Sequence, residues 1–177
     1  MINTCFFGGG CFWCTEAIFN KIIGIVSISP GYMGGHVKDP TYHQVCEGNT
    51  GHAEVVKINY DSSKISFKDL LSVFFSTHDP TTLNRQGNDI GTQYRSCVFT
   101  NDKKEIEILK EYIEHLSKIF EKKIVTTIEN KTEFYEAEDY HHNYFNLNKN
   151  VPYCSIVIDP KIKKLINSKN PLSLIHI

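Results

Sequence analysis

Apolar side chains recur along this chain with two periods, one near two residues and one near 3.6, and the switches between them mark out its elements. Thr4–Phe7 reads as a short strand running into three glycines. Trp13, Ala17, Ile18 and Ile22 then repeat at helical spacing, and Gly24 supplies a C-terminal stop. Ile25–Ser29 alternates as a strand and is expected to end at Pro30-Gly31. From Tyr32 to Gly51 the chain is irregular, but Tyr32, Met33, Tyr42 and Val45 give it side chains to pack, so it reads as an ordered loop. Ala53–Tyr60 alternates clearly, with Glu54, Val56, Ile58 and Tyr60 on one face and Val55 on the other. Ser66 and Asp69 then cap a helix carrying Leu70, Leu71, Phe74 and Phe75 to about Ser76, closed before Pro80.

A polar loop, Thr81 to Thr92, leads to a strand over Gln93–Phe99. Asn101 or Asp102 caps an amphipathic helix with Ile106, Leu109, Ile113, Leu116 and Phe120 on one face. Ile124–Ile128 reads as a strand and Ala137–Asn146 as a helix crowded with aromatics and two histidines. The order β, α, β, loop, β, α, loop, β is that of a split βαβ unit. It predicts an α+β fold, a ferredoxin-like two-layer sandwich with helical and C-terminal additions. One domain over 1–166 is expected, with 167–177 as an aperiodic, unstructured tail.

Length and charge narrow the function. A chain of 177 residues can build a core without disulfide staples. A formal charge of −1, with Lys and Glu interspersed, points to no nucleic-acid or membrane partner. The N-terminus lacks a secretory pattern, and no run approaches the ~18 apolar residues of a membrane span. The reading is a cytosolic, monomeric protein. Its six cysteines are irregularly spaced and are not a disulfide scaffold. Cys97, inside a strand-like run, reads as a core residue.

Chemistry concentrates in three glycine-rich segments, 8–14, 31–54 and 84–95. Gly8-Gly9-Gly10 precede Cys11 where a helix begins, and a helix N-terminus favours a thiolate. Cys11 is therefore either a nucleophile or a buried structural thiol. Glu54 heads a half-buried strand, so it is paired with Arg85 or Arg95, exposed at a strand end, or held neutral. Asp89, between Gly87 and Gly91, reads alone as a turn residue, and Tyr42 and Tyr94 as core aromatics. Together a thiol, an acid and two phenols would protonate an oxygen while sulfur attacks its neighbour.

The motifs carry a family resemblance. Gly10-Cys11-Phe12-Trp13 followed by Glu16-Ala17 is similar to the active-site signature of the A-type peptide methionine sulfoxide reductases. Gly31-Tyr32-Met33-Gly34-Gly35, Asp39-Pro40-Thr41-Tyr42, Val45-Cys46 and Gly51-His52-Ala53-Glu54 resemble that family's central loop. Asn84–Asp89 with Gly91–Ser96, and Ala137–His141, resemble its second and third signatures. The similarity runs in order over about residues 4 to 160. It implies reduction of the S epimer of methionine sulfoxide, free or in proteins. Cys11 would attack, Phe12 and Trp13 would receive the substrate methyl, and Glu54 would protonate the sulfoxide oxygen. Tyr42 and Tyr94 would be further donors, and Asp89 would bind substrate. A second thiol would resolve the Cys11 sulfenic acid and thioredoxin would restore it, with no cofactor or metal.

The resolving thiol is Cys154, at the family's C-terminal position, or Cys14, one helical turn from Cys11. Cys154 is slightly preferred, although Ser155–Pro160 reads as an ordered segment where relatives carry a glycine-rich arm. Two rival readings are weaker. Cys11-x-x-Cys14 alone would suggest a thioredoxin-like oxidoreductase. The same pair with two of His36, His43, His52, His141 or His142 would suggest a zinc site.

Overall fold

The computed structural model describes residues 1–168. Four strands form the centre of a six-stranded sheet: β1 (Ile2–Gly9), β2 (Ile25–Met33), β3 (Ala53–Asp61) and, later, β6 (Ser96–Phe99). Their order β6-β1-β3-β2, with antiparallel neighbours throughout, makes two interleaved β-α-β units. The crossovers are α1 (Phe12–Phe19) and α3 (Phe67–Thr77). This is the α+β, ferredoxin-like arrangement the hydrophobic pattern predicts. Of the expected tail, 169–177 lie outside the described residues.

Alternation on β1 and β3 sorts two cores. Cys5 and Phe7 of β1 and Val56, Ile58 and Tyr60 of β3 face the helices, where Phe7 stacks on Phe74 of α3 at 4.8 Å. Phe6, Ala53 and Val55 face the other way and join Met33, Cys97 and Phe99 beneath Phe134. Glu54 shares the helix-facing side with Val56, so its carboxyl enters the apolar layer rather than solvent. Ser66 and Asp69 start α3 with reciprocal side-chain-to-backbone bonds of 3.0 and 3.1 Å. Asp102, of the two candidates, caps α4 (Lys103–Ser117).

Several boundaries differ from the sequence reading. β2 runs through Pro30-Gly31 to Met33, because Pro30 turns its missing N–H away from β3. The carbonyl on that same outer side accepts from Ala137, beside β8 (Tyr135–Glu136), which the alternation does not reveal. The irregular segment contains a short helix, α2 (Tyr42–Cys46), opened by a Thr41–Gln44 capping box. The polar loop folds into a hairpin, β4 (Arg85–Gln86) with β5 (Asp89–Ile90). Thr92–Tyr94 is a 3₁₀ turn rather than the start of β6, closed by bonds from Tyr94 and Arg95 back to Gly91 and Thr92. Parallel strand β7 (Thr127–Glu129) begins later than expected and pairs with β6.

The expected helix over Ala137–Asn146 is broken in two. A 3₁₀ turn, Asp139–His141, and the short α5 (Tyr144–Leu147) flank Asn143 in the left-handed conformation, φ 54°. Buried Glu16 holds this reversal by accepting from the Asn143 N–H at 2.9 Å. Beyond it, 152–167 is helical, with a π-helical turn at Cys154–Ile158 leading into α6 (Asp159–Asn167). The ordered segment expected after Cys154 is thus a helix, and its Cys154, Ile158, Ile162 and Leu165 are buried in the main core.

Candidate active site

The turn from β1 into α1 puts Cys11 at the N-cap of α1. Gly10 makes the turn at φ +94°, and a Cβ there would lie 2.7 Å from the Gln86 side chain. Gly8 is constrained as well: a Cβ would meet the Cys97 sulfur at 2.6 Å and the Glu54 carbonyl at 3.2 Å. The glycines therefore allow the catalytic-signature loop to lie directly against β3, β6 and the β4–β5 hairpin.

Glu54 is 1% exposed and accepts the Phe12 N–H at 3.0 Å, the first free donor of α1. It has no cation. Arg95 pairs with Glu129 at 2.8 and 3.0 Å and with the Gly51 carbonyl, while the Arg85 Nε donates to the Gly87 carbonyl at 2.7 Å. Of the three alternatives for Glu54, the neutral one fits. Burial pushes its pKa up to about 8; the Phe12 N–H opposes this and the charge of Asp89 adds to it.

Cys11 is buried, and its thiol is pushed well above the usual thiol range by burial, then by Glu54 and Cys14. The Trp13 N–H favours the thiolate but is outweighed. The expectation that the helix end holds a thiolate is therefore reversed in the resting site. One backbone donor does not offset full desolvation beside acidic neighbours.

Tyr42, from α2, and Tyr94, from the 3₁₀ turn, both have phenol pKa values raised by burial and next by Glu54, with Cys11 also contributing. Both phenols thus stand within electrostatic range of Glu54 and Cys11 and stay protonated. Had Gln93–Tyr94 continued β6, Tyr94 would obey strand alternation instead.

Phe12 and Trp13 meet a further set of rings. Trp13 stacks on Tyr144 at 3.8 Å and 6° and meets Tyr153 edge-on at 5.9 Å. Its indole N–H donates to His141 Nδ1 at 2.9 Å. Phe12 lies 5.7 Å from Tyr32 and 6.4 Å from Tyr42. One face of the indole is therefore already covered by Tyr144. Asp89 is likewise engaged, accepting from the Tyr153 hydroxyl at 2.6 Å.

Cys14 lies on α1 one turn beyond Cys11, and Cys154 on the C-terminal helical segment. Cys14 is 3% exposed, with its thiol pushed up to about 11 by burial, and its sulfur is 4.0 Å from the Tyr153 hydroxyl. Cys154 is fully buried in the helical turn that packs on α1. The histidines of the zinc reading go elsewhere. His52 accepts from Gly35 and donates to the Val37 carbonyl, His43 is exposed beside Glu47, and His141 is 0% exposed against Trp13. Among the described residues no three His, Cys, Asp or Glu side chains form a metal-holding group.

Sequence reasoning assigns no role to Glu138, Tyr144 or Tyr153, and names His141 only as a ligand in the rival zinc reading. Glu138 accepts from the Tyr32 hydroxyl at 3.0 Å and from the Tyr42 N–H at 3.1 Å, fastening α2 to the end of β2. The Ala137–His141 motif was the available signal, but a helical reading of it hides which side chains turn inward.

The cysteine, the uncharged acid and the phenols match in kind and order the signatures that suggested a family, and wider comparisons agree. The family model described as peptide methionine sulfoxide reductase matches residues 3–173. The Saccharolobus solfataricus peptide methionine sulfoxide reductase MsrA is 54% identical over 159 residues, 90% of each chain. Among solved structures, methionine sulfoxide reductase A of Corynebacterium diphtheriae superposes with a TM-score of 0.76 at 36% identity, covering 84% of this chain and 76% of that one. Reduced Mxr1 from Saccharomyces cerevisiae superposes with a TM-score of 0.73 at 36% identity, covering 84% and 86%. With its fold and nearly its whole length in common with these proteins, the chain belongs to the peptide methionine sulfoxide reductase family, a family of oxidoreductases.

Proposed function

We propose that this chain, as a cytosolic monomer, reduces the S epimer of methionine sulfoxide, free or in proteins, through a sulfenic acid on Cys11. No helix of the described residues is long and apolar enough to cross a membrane. The observation that carries the mechanism is Glu54: a buried carboxyl with no paired cation among the described residues, a pKa near 8, and a bond to the residue after Cys11. A sulfoxide sulfur is a weak electrophile until its oxygen is protonated, and a neutral acid in a dry site can supply that proton. The phenols of Tyr42 and Tyr94 would share the oxygen. As the Cys11 sulfur attacks, the S–O bond of the substrate gives way and the oxygen ends on Cys11. Thiol plus sulfoxide become sulfenic acid plus thioether, with no net gain or loss of protons. Phe12 and the uncovered side of Trp13 would take the methyl group, and Asp89 the substrate's polar end.

A second thiol then displaces water from the sulfenic acid to form a disulfide, and a dithiol such as thioredoxin reduces it. We assign this step to Cys14, with Cys154 as the alternative. Residues three apart in a helix have Cα atoms about 5 Å apart, inside the range a disulfide needs. Cys154 would have to leave a buried helical turn first. This reverses the preference read from the sequence, because the glycine-rich arm that would free Cys154 is replaced by a packed helix.

The test is single turnover on methionine S-sulfoxide and R-sulfoxide. Wild type should act on the S epimer alone, and Cys11→Ser should produce no methionine. Mass spectrometry after one turnover should find a Cys11–Cys14 disulfide that persists in Cys154→Ser; a Cys11–Cys154 disulfide would return the role to Cys154. Turnover by Cys11→Ser would sink the mechanism.

A further inference from the structure

His141 contributes a fully buried imidazole whose two nitrogens face different partners. Nδ1 accepts the indole N–H of Trp13 at 2.9 Å. A neutral ring that accepts at Nδ1 carries its proton on Nε2. That Nε2 has no hydrogen-bond partner among the described residues and lies 3.9 Å from the Glu138 carboxylate. Burial, helped by His142 and opposed by Glu138, holds the ring below its usual pKa, so it is neutral.

The ring is also wedged among aromatics, 4.4 Å from Tyr42, 5.0 Å from Phe12 and 4.0 Å from Tyr140, centroid to centroid. An unfilled donor in such a place is destabilising relative to an apolar group of the same shape. Packing alone therefore does not account for a histidine here. The same Glu138 carboxylate already holds the Tyr42 backbone and the Tyr32 hydroxyl.

We infer that His141 is a positioning residue: with Glu138 beside it, its Nδ1 fixes the Trp13 indole against rotation in its own plane and so shapes the wall that meets the substrate methyl. This rests on the proposed reading of Trp13 as part of that wall. Tyr144 fixes one face of the indole by stacking. Stacking leaves rotation within the plane free, and the bond to His141 removes it. The Glu138 carboxylate beside the ring also holds α2, which carries Tyr42.

Trp13 is the only tryptophan in the chain, so one indole signal reports the bond in the native protein. Long-range proton–nitrogen NMR should find His141 protonated on Nε2, and the indole proton shifted downfield and slow to exchange. An Nδ1-protonated ring overturns the inference whatever variants do. His141→Phe keeps a ring but has no acceptor. It should lower kcat/KM for methionine S-sulfoxide about tenfold, chiefly through KM, and shift tryptophan emission to the red. His141→Gln, whose amide can accept from the indole and donate toward Glu138, should recover to within about threefold of wild type. Unchanged kcat/KM in a folded Phe variant, or equal losses in both, overturns the positioning role. Should the Phe variant not fold, the NMR tautomer and the Gln variant decide. Failure of the underlying reading looks different: Trp13→Phe would leave KM unchanged.

Discussion

Glu54 carries a carboxyl into the helix-facing layer of the sheet with one backbone donor and, among the described residues, no cation. Its pKa near 8 lies above the usual 4.5. Between these values the folded chain holds a proton that the unfolded chain has released, so stability falls as pH rises across the window. Catalysis by the acid form has its own limb: kcat/KM should fall about tenfold per pH unit above about pH 8, as general acid is lost. Glu54→Gln can still accept from Phe12 but cannot ionise. Its kcat/KM should be ~10²–10⁴-fold lower and flat through that limb. Its stability to urea at pH 8 should exceed that of wild type by a few kcal/mol, because each pH unit between the folded and unfolded values is worth about 1.4 kcal/mol. Equal stability of the two proteins at pH 8 would mean that Glu54 is ionised and paired after all.

Between β1 and α1 the chain turns at a position only glycine fits comfortably. An Ala at Gly10 would combine a φ of +94° with a Cβ 2.7 Å from Gln86, whose hairpin also carries Asp89. Gly10→Ala should cost about 1–3 kcal/mol in urea unfolding and also lower kcat/KM, since Cys11 and the hairpin shift together. A cap far from the site should separate the two effects. Ser66→Ala removes the hydroxyl that accepts from the Asp69 N–H, one half of the reciprocal pair that starts α3, and should cost about 1 kcal/mol with kcat/KM unchanged. Loss of activity in the Ser66 variant proportional to its loss of stability would show that α3 and the site are coupled more tightly than their separation implies.

Across the molecule, a second buried titratable group sets the acid side of stability. His78, at the end of α3, donates from Nδ1 to the Phe74 carbonyl at 2.6 Å and accepts at Nε2 from Ser96 at 2.7 Å, tying the helix to β6. Burial lowers its pKa to about 4 from the usual 6.5. The unfolded chain binds the proton first, so stability present above pH 6.5 is lost as pH falls toward 4. With Glu54 acting on the alkaline side, urea unfolding should show greatest stability in the mildly acidic range. His78→Gln should flatten the acid limb while costing about 1–2 kcal/mol at neutral pH, from the weakened ties to Phe74 and Ser96. An acid limb unchanged in that variant would assign it to other groups.

The local signals in this chain were enough for the strands β1 and β3, the capped starts of α3 and α4, and the order that makes the sheet. Alternation, helical spacing and caps act within a few residues, so they are written where they operate. The family signatures likewise name Cys11, Glu54, Tyr42 and Tyr94 as a set, because chemistry restricts which residue types can stand there. Protonation is another matter. Nothing near Cys11 in sequence announces the burial that keeps it a thiol, and Arg95 looks available to Glu54 until it is seen bound to Glu129. The course of β2 past Pro30 depends on β8, more than a hundred residues on. The inward turn of His141 depends on Glu16 holding Asn143, and the anchoring of Cys154 on a helix that packs against α1. Each of these is decided by desolvation and by partners distant along the chain, which exist only once the layers have closed.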